Sequence, residues 1–337
     1  MRNKILQILR ESGDKYISGE EMADKLGVSR TAVWKHIKEM RAQGYDIESH
    51  ARKGYVLKEA PDALLSGEIA HDLQTSVIGQ NIICHEEIDS TNNEAKRLAR
   101  EGAAEGTVVV AECQTGGKGR LERQFFSPKG KGIWFSVILR PKFLPQEAPK
   151  CTLMAAVAVA RAMTEFNLKP GIKWPNDLLY ENKKLVGILT EMSAEMDGIN
   201  YIVIGTGINV NIEQTEFPED IRDVAASLCM MKGEPLPRVK FFQAVLRAMD
   251  DLYAQVQAQG FAPVLREWRK YSITLGQEVK VIGVRDGEVY NAGSGIYLYA
   301  GDTVEECCRY AGMSDRVREN ILHALRRDQL QNDQPSL

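Results

Sequence analysis

Residues 151–166, Cys-Thr-Leu-Met-Ala-Ala-Val-Ala-Val-Ala-Arg-Ala-Met-Thr-Glu-Phe, are apolar on nearly every side of a helical projection. No other stretch constrains the fold as strongly. A helix without a polar stripe has to be covered all round, so the run predicts a central buried helix. The chain has 337 residues, enough for two or three domains with at least one substantial core. The same run is the longest membrane candidate, and it falls short of the roughly 20 apolar residues a bilayer crossing needs; Arg161 also interrupts it. The start, Met1-Arg2-Asn3-Lys4, leads into an amphipathic helix and not into the apolar stretch of a signal peptide. A cytoplasmic location without a membrane partner is expected. The six cysteines, at 84, 113, 151, 229, 307 and 308, show no two-residue metal spacing, so reduced thiols and no metal site are expected.

Charge divides the chain. Residues 1–60 hold 12 Lys+Arg against 9 Asp+Glu, while the remainder holds 31 against 37. In the basic part, Ile5, Leu6, Ile8 and Leu9 have helical spacing, and Ser18 with Glu21 announces a second helix that Gly27 ends. Ser29 caps a third, which buries Val33, Ile37 and Met40 and turns Arg30, Thr31, Lys35, His36 and Lys38 outward until Gly44. Residues 45–57 then alternate apolar and polar around a basic turn with Arg52, Lys53 and Gly54, a β-hairpin wing. Helix, helix, turn, helix, wing is the plan of a winged helix-turn-helix, which sets one helix in a major groove and a basic loop on the backbone. From Arg30 to Lys58 there are 7 Lys+Arg against 3 Asp+Glu, which places positive charge where phosphates would lie. The candidate DNA contacts are Ser29, Arg30, Thr31, Lys35, His36, Lys38, Arg52 and Lys53. A protein-binding winged helix is the other use of this plan.

Glu59-Ala60-Pro61-Asp62 breaks the pattern and marks a boundary. Beyond it, residues 85–88, 107–112 and 132–140 read as strands, and Ser90 or Thr91 caps a helix to Arg100. The runs 186–194 and 199–204 flank Met196-Asp197-Gly198, a tight-turn signal. A largely antiparallel sheet packed with helices is expected, without a βαβ repeat.

Three segments carry chemistry. Residues 111–123 place three glycines and three cations in a loop whose backbone N–H groups suit a carboxylate or phosphate, although a plain surface turn has the same composition. It is not a Walker loop, since Gly119 follows Lys118 and Glu112 stands where the first glycine belongs. Gly205-Thr206-Gly207-Ile208-Asn209 lacks the third glycine of a dinucleotide fingerprint and suggests a close backbone crossing in a sheet. Lys173-Trp174-Pro175-Asn176-Asp177 groups a cation, an amide and a carboxylate around a rigid turn, and Lys183-Lys184 opens the next strand.

Taken in order, Asp89-Ser90-Thr91-Asn92, the 114–123 loop, Lys173-Trp174-Pro175-Asn176-Asp177, Lys184-Leu185-Val186-Gly187-Ile188-Leu189 and Gly205-Thr206-Gly207-Ile208-Asn209 resemble biotin protein ligases of the bifunctional type that also repress biotin operons. The likeness runs from residue 1 to about 280. It implies an α+β multidomain chain: a winged helix-turn-helix at 1–60, a mixed α/β ligase domain of the biotin/lipoate type at 61–271, a small, reduced SH3-like β domain at 272–310 and a polar tail at 311–337 with a helix from Ser314 to Leu325. The implied reaction joins biotin to ATP with Mg²⁺ and passes it to a lysine of a biotin carboxyl carrier protein. Operator DNA and, in the adenylate-bound state, a second copy of the chain are the other implied partners.

By the resemblance, Ser90, Thr91, Asn92, Gln114, Lys118, Gly119, Arg120 and Lys184 bind biotin; Arg123, Asn176 and Asn209 bind ATP; Lys184, Arg120, Lys173 and Asp177 stand at the reacting centre. The family loop usually runs Gly-Arg-Gly-Arg-x-Gly-Arg-x-Trp, whereas this chain places Lys118, Glu122 and Phe125 at three of those positions. Lysine lacks the planar fork of arginine, and Glu122 adds negative charge, so weaker retention of the adenylate is expected. Two other functions share parts of this pattern: a DNA-binding biotin sensor with weak or lost ligase activity, and a ligase for lipoate or another carboxylic acid.

Overall fold

The computed structural model describes residues 1–119, 123–174, 176–195, 198–275, 279–282 and 289–292. They fall into two compact units, Met1–His71 and Asp72 onward.

The first unit contains α1 (Arg2–Glu11), α2 (Gly19–Leu26), α3 (Arg30–Ala42), the antiparallel pair β1 (Asp46–His50) and β2 (Gly54–Glu59), and the short α4 (Ser66–Ala70). The capping residues act as expected: Ser18 Oγ accepts from the Glu21 N–H at 3.0 Å, and Ser29 Oγ accepts from the Ala32 N–H at 3.2 Å. Gly27 closes α2 in the left-handed region at φ 66°. Ile5, Leu6, Leu9, Met22, Val33, Ile37 and Met40 form one core, with Ile47 of the wing packed into it. Backbone bonds between Ile17 and Tyr55 tie the wing to the residues before α2. On α4, the buried Glu68 accepts hydrogen bonds from Arg10 and from the Tyr45 hydroxyl.

In the second unit the chain runs β3 (Ile82–His85), α5 (Thr91–Arg100), β4 (Val108–Ala111), β5 (Gly132–Leu139), α6 (Lys150–Glu165), β6 (Ile172–Lys173), β7 (Asp177–Tyr180), β8 (Lys183–Glu195) and β9 (Gly198–Asn209). Then come α7 (Leu228–Lys232), α8 (Arg238–Gln259) and α9 (Ala262–Tyr271), followed by an antiparallel pair, β10 (Val279–Ile282) and β11 (Val289–Ala292). Seven strands form one sheet in the order β3-β4-β5-β9-β8-β7-β6. All neighbours are antiparallel except β3 and β4.

That exception is a single βαβ unit in a sheet expected to lack a βαβ repeat. β3, α5 and β4 form one, because a helix of ten residues carries the chain back to a parallel neighbour. The first strand also lies earlier than predicted. Its ladder uses residues 82–85, whereas Ile88 makes only an isolated bridge to Gln114. The run 85–88 contains two glutamates in sequence that leave the sheet to form the approach to α5.

Both faces of the sheet are covered. Along β5, Ile138 packs with Ala95 and Ala99 of α5, while Phe135, on the opposite face by strand alternation, meets Phe242 of α8 with ring centroids 4.8 Å apart. The predicted central helix is α6, whose Met154–Ala160 are fully buried among the sheet, α8 and α9. Arg161, its one internal cation, pairs with Glu267 of α9 and Asp251 of α8. Among the described residues no helix is long and apolar enough to cross a membrane. The predicted 196–198 turn tip, the segment Tyr299–Asp302 and the helix Ser314–Leu325 lie wholly or partly outside the described residues.

Candidate functional site

Strand register builds the site. On the α5 face, one row across the sheet is Trp134, Gly207 and Gly187; the next is Ser136, Gly205 and Leu189; the third is Ile138, Val203 and Glu191. Small residues in the first two rows leave a hollow between taller neighbours. The hollow is fully claimed at two points. A Cβ on Gly205 would collide with Asn92 Oδ1, and one on Gly207 would stand 2.6 Å from Cε1 of Phe125. The glycine pair predicted to mark a close crossing therefore admits the Asn92 amide and the Phe125 ring.

The resulting cavity has a volume of about 410 Å³. Ser90, Thr91, Asn92 and Gln114 line one wall; Asn176, Asp177, Lys184 and Asn209 line another; Lys118, Gly119 and Arg123 belong to the covering loop. These eleven predicted residues are brought together from five separate segments. Lys173, on β6, is three residues from Asn176 but is not among the cavity-lining residues. Arg120, Leu121, Glu122 and Pro175 lie outside the described residues.

Ser90 is the N-cap position before α5, and Thr91 and Asn92 occupy its first turn, so the helix start brings all three to the cavity. The Gln114 side chain is fixed from both ends. Its Oε1 accepts from the Thr91 N–H at 2.9 Å, and its Nε2 donates to Ser127 Oγ at 3.0 Å. Lys118 Nζ donates to Asn93 Oδ1 at 3.1 Å, and Asn93 Nδ2 in turn donates to Asp89 Oδ2 at 2.7 Å. The bond from Asn93 outweighs burial and holds the Asp89 carboxyl below its ordinary range.

On the opposite wall, Lys184 Nζ sits 2.8 Å from Asp177 Oδ1 and 5.9 Å from the centroid of Phe125. Two predicted nucleotide residues brace the backbone here: Asn176 Nδ2 donates to Ile188 O at 2.9 Å, and Asn209 Nδ2 donates to Ala226 O at 3.0 Å. The site thus joins a hydrogen-bonding wall, an apolar floor and a cation beside a carboxylate. Such an arrangement suits a ligand with a polar ring at one end and an acid group at the other.

Three contributors escaped the sequence reading: Ser127, Ser136 and Glu191. Ser136 had a visible signal, since it is the single polar side chain inside the otherwise apolar run of β5, whose eight residues are all buried.

In the first unit, Arg30, Thr31, Lys35 and Lys38 are exposed along α3, Ser29 caps it, and Arg52 and Lys53 are exposed in the wing turn. His36 is half-buried and bonds Glu39 at 3.0 Å. Trp34, not among the predicted contacts, is 53% exposed on the same helix, with Lys38 Nζ 5.5 Å from its ring centroid. An exposed aromatic beside cations is suited to stacking against sugar or base edges.

Residues 85–209 match the biotin/lipoate A/B protein ligase family, and residues 1–56 match an HTH domain. The chain is 41% identical to the bifunctional ligase/repressor BirA of Bacillus subtilis (strain 168), over 88% of this chain and 91% of that protein. It is 30% identical to the bifunctional ligase/repressor BirA of Escherichia coli (strain K12), over 87% of this chain and 88% of that one. Among solved structures, the biotin protein ligase from Aquifex aeolicus in complex with biotin and ATP superposes with a TM-score of 0.54 at 31% identity, covering 64% of this chain and 86% of that chain.

Proposed function

Since the chain belongs to the family of bifunctional biotin ligase/repressors, we propose that it activates biotin with ATP, transfers it to a lysine of a biotin carboxyl carrier protein, and represses biotin genes through its winged helix. The observation that carries the ligase reading is the single cavity in which the hydrogen-bonding wall of Ser90, Thr91, Asn92 and Gln114 faces Lys184 and Asp177. The wall would hold the ureido ring, the apolar floor the bicyclic body, and Lys184 the carboxylate.

In the first step a biotin carboxylate oxygen attacks the α-phosphorus of ATP. The bond to the β-phosphate breaks and pyrophosphate leaves. Two anions must approach, so Lys184, with Arg120 of the covering loop, would offset the charge that grows in the transition state. Arg123, Asn176 and Asn209 would border the nucleotide. Lys173 and Asp177 would stand near the reacting atoms. The adenylate is a mixed anhydride prone to hydrolysis, and a loop closed over it by Lys118, Gly119 and Arg120 would exclude water. In the second step the carrier's lysine amine attacks the activated carbonyl, the bond to the phosphate oxygen breaks, and AMP leaves.

Mg²⁺ fits this site as a companion of ATP. Among the described residues no group of three or more His, Cys, Asp or Glu forms a metal cage, and Mg²⁺ commonly rests on phosphates with one or two carboxylates. Asp177 is the cavity carboxylate that would share it, and the ion would supply charge neutralisation on the phosphates.

Residues 272–310, which include the β10–β11 pair, would form a small SH3-like domain. In the adenylate-bound state two copies would associate and present two winged helices to two half-sites, so adenylate and operator would each strengthen the binding of the other. Ser29, Arg30, Thr31, Lys35, His36, Lys38, Arg52 and Lys53 would face the DNA.

The test is incubation of the full chain with biotin, Mg²⁺ and α-labelled ATP, with and without a biotin carrier domain. Bound adenylate together with carrier labelling is expected. Adenylate without transfer would favour a biotin sensor, and neither signal would overturn the ligase assignment.

A further inference from the structure

We propose that Thr274, just beyond α9, is a positioning residue for ATP, whose hydroxyl pins the turn that carries Asn176 and Asp177 into the cavity. The inference rests on the ligase reading of that wall and gives the first residues after α9 a part in the activation step.

Lys173 of β6 pairs with Asp177 of β7, so the chain reverses within the three residues between them. The hairpin has two residue pairs, Ile172 with Leu178 and Lys173 with Asp177, and β6 is the last strand of the sheet. So short a hairpin has little stability of its own. The turn therefore depends on what holds it from outside. Toward the cavity, Asn176 Nδ2 donates to Ile188 O at 2.9 Å, and Asp177 faces Lys184. At its other end the support comes from α9 and the residues that follow it. Trp174 meets Trp268 of α9 edge to face, with ring centroids 5.4 Å apart, and the Trp174 N–H donates to Thr274 Oγ1 at 3.1 Å.

Thr274 is itself held in place. Ser272 forms a parallel bridge with Ile172, and the Ile273 N–H donates to Ile172 O at 3.0 Å. These residues thus extend the sheet by one short step beyond β6. Gly171 leaves the room for it, since a Cβ there would stand 3.0 Å from Cγ2 of Ile273. Ser272 Oγ then accepts from the N–H groups of Thr274 at 3.3 Å and Leu275 at 3.2 Å, which turns the chain. Thr274 ends up buried over the start of the hairpin turn. A ring contact tolerates sliding, whereas a hydrogen bond fixes a direction. The hydroxyl sets where the turn begins, and Asn176 and Asp177, two and three residues on, follow that setting. On the ligase reading these two border the nucleotide and the reacting atoms, while the ureido wall comes from α5 and Gln114. Loss of the bond is felt by ATP and not by the biotin ring.

The experiment is biotin-dependent exchange of labelled pyrophosphate into ATP by the full chain, comparing parent, Thr274→Val and Thr274→Ser. Valine keeps the branched shape and removes the acceptor, and serine returns it. In Thr274→Val the KM for ATP should rise about ten-fold. The KM for biotin should stay within about two-fold, and Thr274→Ser should bring the KM for ATP back to within about two-fold of the parent. A Thr274 that only supported the fold would lower the active fraction, which reduces the apparent kcat and leaves both KM values in place. An unmoved KM for ATP in Thr274→Val, equal rises in the KM for ATP and for biotin, or a serine variant as poor as the valine one would overturn the inference while leaving the ligase assignment intact. So would a Thr274→Val chain without a cooperative unfolding transition in calorimetry, because the residue would then serve the whole fold and not the turn. A parent that performs no exchange would overturn both.

Discussion

Lys184 and Asp177 face each other across adjacent strands, with Nζ 2.8 Å from Oδ1 at the edge of the cavity. Before a ligand arrives, the cation already has an anionic partner, and a biotin carboxylate would have to take that place or share it. Replacement of Lys184 by methionine keeps the stem over Phe125 and removes the charge. The expected result is a loss of about 10²–10³ in the rate of adenylate formation. Transfer to the carrier from adenylate supplied directly should fall far less. Equal losses in the two half-reactions would place Lys184 outside the activation step.

Phe125 rests on Gly187 and Gly207, and a methyl group on Gly207 would meet it at 2.6 Å. Gly207→Ala is therefore expected to force the ring off the floor and toward the cavity, at a cost of about 1–3 kcal/mol for overpacking. Calorimetric unfolding should show a lowered midpoint, and titration with biotin should show weakened binding. Normal binding with a normal midpoint would mean that the ring has somewhere else to go.

The local chemistry of the chain was legible where a residue does its work within its own element. Ser18 and Ser29 cap, Gly27 closes, and the apolar residues from Leu153 to Ala160 are buried, each for reasons contained within a few neighbours. The site wall was legible for a different reason: Ser90 through Asn92, the Gln114 loop and the two Gly-containing strands recur as ordered motifs. What could not be read depends on register. Glu191 looks like a polar position of an alternating strand, and only the pairing of β8 with β9 and β5 places it in the row beside Ser136 and within reach of Asn92. The parallel β3–β4 pair was hidden likewise, since four residues, Ile82–His85, give no periodicity that separates parallel from antiparallel pairing.

Arg30 is exposed at the first turn of α3, beside the capping Ser29. If it touches a phosphate, Arg30→Ala should weaken binding of the full chain to a generic DNA duplex, and the slope of log affinity against log salt should become shallower by about one. An unchanged slope with unchanged affinity would remove Arg30 from the contact set.

Glu191 also gives acid sensitivity a defined sign. Its burial pushes the carboxyl up, the bonds from Lys96 and Asn92 pull it down further, and the net value lies below the ordinary 4.5. A group depressed in the folded state stabilises the fold fully above its unfolded value and loses that contribution as pH falls through the folded value. The gap in unfolding midpoint between parent and Glu191→Gln should thus stay constant from about pH 7 down to about pH 5 and shrink below that. A gap as wide at about pH 3 as at about pH 7 would show that the ionised form contributes nothing to the stability of the site.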